Sequence, residues 1–75
     1  MLESIKMLEC QLDLFPARFS WRGKIYRVDA VNECKTITLQ PDEAGPVYHF
    51  WVKCEGKLLH LVHILSSNYW GLQHN

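Results

Sequence analysis

From Ala17 onward, apolar and polar positions alternate with a period of two. Phe19 and Trp21 are interleaved with Arg18, Ser20 and Arg22, which is the pattern of a strand with one buried face. Arg22-Gly23 supplies a tight turn. The chain then returns with Tyr26, Val28 and Ala30 on one side, so residues 17–31 predict a β-hairpin. Thr36-Ile37-Thr38-Leu39 has strand propensity and is expected to extend this ladder after an irregularity near Asn32. Residues 40–46 hold two prolines, a glycine and two acids and read as a loop. Residues 47–54 alternate again, and Glu55-Gly56 is a turn signal. Residues 57–65 carry apolar side chains on both faces, which predicts a central strand, with a short helix as the rival reading. Ser66-Ser67-Asn68 is a further turn, and Tyr69-Trp70-Gly71-Leu72 a last strand.

The start of the chain has a different rhythm. Leu2, Ile5 and Leu8, with Met7, recur at helical spacing and predict a two-turn helix that is marginal alone. Pro16 biases Phe15 away from the helical region, so residues 11–15 are expected to be extended. The predicted fold class is mainly β: a small antiparallel sheet or open barrel of about five strands, led by a short N-terminal helix or flexible tail. Residues 1–16 form that lead and residues 17–75 the β domain.

Composition narrows the function classes. A chain of 75 residues is one domain. It is 48% hydrophobic, with three each of Trp, Tyr and Phe, so it has the material for a core and is not disordered. Net charge is zero, which argues against binding nucleic acid mainly by phosphate neutralisation. A local basic run remains in Arg18, Arg22, Lys24 and Arg27. The three cysteines, Cys10, Cys34 and Cys54, are odd in number and widely spaced, so no disulfide framework is expected. Charges at Glu3, Lys6 and Glu9 argue against a signal peptide. No segment approaches the roughly 18 apolar residues of a membrane span. These features predict a cytoplasmic protein with free thiols and no membrane partner.

The candidate chemistry is sparse. His60-x-x-His63 has a metal-like spacing, but positions three apart on a strand face opposite ways, and no fourth ligand is in register. Asp42-Glu43 sits in a turn, the glycines stand singly, and the cysteines lack a nucleophile context. No catalytic residue, metal site or cofactor is predicted, and the chain is not read as an enzyme. Arg18, Arg22, Lys24 and Arg27 among Phe19, Trp21 and Tyr26 suit single-stranded nucleic acid. Strict alternation, however, favours the aromatics as core. A sheet edge that pairs with a partner strand is a further alternative.

One motif points to a specific partner. Gln11-Leu12-Asp13-Leu14-Phe15 resembles, at all five positions, the peptides that bind the bacterial DNA sliding clamp. A match of this length arises by chance in such a chain on the order of once in 10⁴. The resemblance implies that Gln11 hydrogen-bonds in a small polar subsite and Leu12 covers a shallow apolar surface. Asp13 would stay near solvent, while Leu14 and Phe15 enter a deep apolar pocket. Phe19-Ser-Trp-Arg-Gly-Lys-Ile-Tyr-Arg-Val28, residues 48–54 and the closing Tyr-Trp-Gly-Leu are also similar to a small bacterial β domain found alone or beside error-prone translesion polymerase subunits. Together these imply a clamp-binding adaptor or regulator in replication, repair or translesion synthesis. Its partners would be the sliding clamp and a polymerase or repair protein, with at most weak DNA contact.

Overall fold

The computed structural model describes residues 1–38 and 45–74. Among the described residues there are eight strands: β1 (Leu2–Ser4), β2 (Lys6–Gln11), β3 (Phe15–Trp21), β4 (Lys24–Arg27), β5 (Ala30–Thr38), β6 (Pro46–Cys54), β7 (Lys57–Ile64) and β8 (Tyr69–Gln73). A three-residue 3₁₀ turn, Leu65–Ser67, joins β7 to β8. The strands form two antiparallel sheets, one ordered β1-β8-β7-β6-β5 and the other β2-β3-β4. The mainly β, antiparallel class expected from the alternation is therefore correct. The loop reading of residues 40–46 lies outside the described residues as far as residue 44, and so does Leu39.

The N-terminal helix is corrected to two strands. Ile5 donates its backbone N–H to Trp70 (3.1 Å), so the chain leaves the five-stranded sheet there and enters the other as β2. The β2–β3 register then shifts on either side of Glu9. A bend and a bulge stretch a period of two into spacings of three, so the buried or half-buried Leu2, Ile5, Met7 and Cys10 mimic a helical face. A matching corner occurs after β4. Val28 N–H still bonds Ala17 (2.9 Å), while Asp29 N–H already bonds Lys53 (2.8 Å). β5 thus pairs with β6 rather than extending the β3–β4 ladder, and the irregularity near Asn32 is a register shift between Val31 and Glu33.

Between the sheets lies an aromatic core. Phe19, Phe50, Val52, Cys54 and Leu61 are fully buried, with Trp70, Leu72 and Ile5 nearly so. Phe50 stacks on Trp70 (5.8 Å between centroids) and Phe19 on Tyr26 (5.4 Å). β7 is the central strand of the larger sheet, as its two apolar faces predict. Phe50 opposite Leu61, and Leu61 opposite Leu72, face the core; Trp51 opposite His60, and His60 opposite Gln73, take the alternate face. Arg22-Gly23 and Glu55-Gly56 both form the expected tight turns, with positive φ at all four residues, which suits the right-handed twist of hairpins.

Candidate functional site

The clamp-like pentapeptide forms the tip of the β2–β3 hairpin. Gln11 ends β2 and pairs with Phe15, the first residue of β3. Between them Leu12 and Asp13 both have φ of 54°, and Leu14 N–H bonds the Gln11 carbonyl at 3.0 Å. This is a three-residue reversal, Leu12 to Leu14, whose β-turn centres on Leu12 and Asp13; Asp13 suits such a turn, whereas Leu12 does not. The expected extended conformation of residues 11–15 is therefore corrected. Pro16 does hold Phe15 in a strand, but the chain reverses immediately before it.

The five side chains divide into two groups. Gln11, Leu12 and Asp13 are exposed, Leu12 at 87%. Leu14 and Phe15 are half-buried and pack on the core. The Phe15 ring meets Phe50 edge-on at 6.0 Å and 71°. The two residues that the resemblance makes anchors thus face inward here. The left-handed backbone at Leu12 costs about 1–2 kcal/mol, and Asp13, which tolerates that region, costs less, so the tip is strained at Leu12.

The basic residues are largely engaged. Arg18 pairs with Glu9 (3.3 Å) and Lys24 with Glu55 (2.9 Å). Arg22 grips Glu3 through two hydrogen bonds, of 2.8 and 2.9 Å. Arg22 also lies over the Trp21 ring (5.0 Å) and Lys24 over Tyr26 (4.9 Å). Arg27 sits directly across from Arg18 and, among the described residues, forms no ion pair. Arg18 and Arg27 line a cleft of about 300 Å³ together with Glu9 and Gln11. The aromatics of this hairpin point elsewhere, since Phe19 is fully buried and Tyr26 stacks on it. Sequence reasoning missed Glu3, which also accepts a hydrogen bond from His74 Nε2 at 2.8 Å. Arg22 first, and His74 second, hold the Glu3 carboxyl down at about 2.

The thiols are not activated. Burial pushes Cys54 up to about 11 and raises Cys10 and Cys34 as well, the reverse of what a nucleophilic cysteine requires. His63 stacks on Trp70 (4.0 Å, 8°) toward the core and bonds Asn68 Oδ1 at 2.9 Å. His60 lies on the opposite face, so the His60–His63 spacing brings no pair together. His60 instead meets His49, with 2.8 Å between His49 Nδ1 and His60 Nε2. The signal for that pair is the Glu55-Gly56 turn. Pairing residue 54 with 57 places Trp51 opposite His60 and leaves His49 on the adjoining diagonal.

No helix among the described residues is long and apolar enough to cross a membrane. Comparison with protein-family models, curated proteins and solved structures finds no match.

Proposed function

We propose that this chain is a small non-enzymatic accessory protein that docks on the bacterial DNA sliding clamp through Gln11, Leu12, Asp13, Leu14 and Phe15. It would act as an adaptor or regulator in replication, repair or lesion bypass. The observation that carries this reading is the placement of all five motif residues at a strained hairpin tip, with Gln11, Leu12 and Asp13 in solvent. The engagement of Arg18, Arg22 and Lys24 by carboxylates supports it over nucleic-acid binding, where those cations would need to be free for phosphates.

Docking requires the tip to open. Lifting the half-buried Leu14 and Phe15 off the core costs less than the roughly 1.5–3 kcal/mol that each would cost from full burial. Straightening Leu12 returns about 1–2 kcal/mol, and straightening Asp13, a residue type that tolerates the left-handed region, returns less. The released strain offsets part of that cost, so the open form is a minor state, and the clamp pocket then buries both anchors again. Titration of the full chain into purified clamp, with a known clamp-binding peptide as competitor, tests the proposal. The expected result is competitive binding that weakens on Gln11→Ala or Leu12→Ala, two exposed positions whose loss leaves the core intact. Binding that ignores both substitutions and the competitor would refute it.

A second reading is favoured by β5, which among the described residues pairs with β6 alone and presents an open edge for a partner strand. Protection of alternate β5 amides from hydrogen exchange by a partner, with the hairpin tip unaffected, distinguishes it.

A further inference from the structure

The face of the five-stranded sheet that turns away from the aromatic core carries a cluster with no part in the clamp proposal. His49 on β6 and His60 on β7 are diagonal neighbours, because His49 stands opposite Val62 and Trp51 opposite His60. Their ring nitrogens approach to 2.8 Å, Nδ1 of His49 to Nε2 of His60. Trp51 stacks on His60 with centroids 4.3 Å apart and 21° between planes, and His49 lies 6.0 Å from the same indole. Both imidazoles are half-buried. We infer that His49 and His60 form a two-nitrogen site for a divalent transition-metal ion such as Zn²⁺ or Ni²⁺.

The spacing is within reach of a chelating pair once the two rings turn to aim both nitrogens at one point. Imidazole nitrogens bind such ions at about 2.0–2.1 Å, and two bonds of that length at angles between square and tetrahedral hold their nitrogens about 2.9–3.4 Å apart. The observed gap needs to widen by only a few tenths of an ångström. Trp51 packs one ring in place, which lowers the rotamer entropy lost on binding. Two cations share this face: Lys35, which lies 5.7 Å from the Trp51 ring centroid and is paired with Glu33 at 3.3 Å, and the exposed Lys53.

The proton balance is simple. In the neutral pair one of the two facing nitrogens carries the shared hydrogen. When the metal enters, that ring moves its hydrogen to its other nitrogen, so both facing nitrogens offer lone pairs. No group of three or more His, Cys, Asp or Glu ligands occurs among the described residues. Water would therefore fill the remaining positions, making the site exchangeable rather than structural.

The test is titration of the full reduced chain with ZnCl₂, followed by calorimetry and by ¹⁵N signals of the imidazole rings. NiCl₂ in parallel is read by quenching of indole fluorescence. The expected result is shifts confined to the His49 and His60 rings. His49→Gln and His60→Gln should each weaken binding by about tenfold or more, since even outer-shell changes cost 10–100-fold at metal sites, while Cys34→Ser leaves affinity unchanged. The ring signals report on the unaltered protein, so the result does not depend on either variant folding. Absence of binding, unshifted His49 and His60 rings, or affinity lost with Cys34→Ser instead would overturn the inference.

Discussion

Replacing Leu12-Asp13 with Asn-Gly should make the protein more stable and a poorer clamp binder. Both residues hold a φ of 54°; a left-handed backbone costs Leu12 about 1–2 kcal/mol and Asp13, which tolerates that region, less. Glycine escapes that cost and asparagine largely does. Leu12 is 87% exposed, so its removal forfeits almost no burial. Against the gain stands the greater freedom of glycine in the unfolded chain, about 0.5–1 kcal/mol. The net expectation is a stabilisation of about 1–2 kcal/mol. In a domain of this size each kcal/mol moves the melting midpoint by roughly 4–8 °C, so a rise of about 5–15 °C is expected by calorimetry. The same energy deepens the closed hairpin relative to the open one. Apparent affinity for a partner that needs the open form falls in proportion to its population, here about 5–30-fold before the lost Leu12 contact is counted. An unchanged or lower melting midpoint would refute the strained-turn reasoning. A higher midpoint with clamp affinity retained would refute the requirement for opening.

Other consequences follow from the packing and the charges. Phe50→Ala removes a fully buried ring between Phe15 and Trp70 and should cost about 3–5 kcal/mol. That is much of the roughly 4–11 kcal/mol expected at 0.05–0.15 kcal/mol per residue, so urea denaturation should find the variant largely unfolded or nearly so. Glu3 is held at about 2, below its ordinary 4.5, by Arg22 and then His74. Its contribution to stability is therefore present above about 4.5 and lost as pH falls toward 2. Denaturation profiles from pH 7 to 2 should show Glu3→Gln less stable than the parent at neutral pH and flatter in that acid window. Gly56→Ala forces an alanine into a φ of 77° and should destabilise by about 1–2 kcal/mol, although the added Cβ meets nothing within 4 Å.

Much of the β architecture was legible because its signals are local. Arg22-Gly23 and Glu55-Gly56 announce two turns, and the alternation around Phe19, Trp21, Phe50 and Val52 assigns the core face beside them. The N-terminal strands were hidden because the crossing at Ile5 and the irregularity around Glu9 disguise a period of two. The Leu12-Asp13 reversal was hidden for a different reason. Asp13 tolerates a positive φ but Leu12 does not, so the turn signal is incomplete and the ladder between β2 and β3 is what enforces it. The motif at residues 11–15 was visible as a pattern, whereas the inward packing of Leu14 and Phe15 was not, because it depends on Phe50 from a distant strand. Ion-pair partners such as Glu3 for Arg22 and Glu55 for Lys24 lie 19 and 31 residues away, beyond any spacing rule.

The most direct measurement is an amide NMR map of the ¹⁵N-labelled chain as unlabelled sliding clamp is added. Clamp docking through the β2–β3 tip predicts that signals of residues 10–16 broaden or shift first. Phe50 should follow as Phe15 leaves it, and a competing clamp peptide should reverse both changes. An unperturbed hairpin at saturating clamp, or changes centred on β5 or the His49–His60 face instead, would contradict the account.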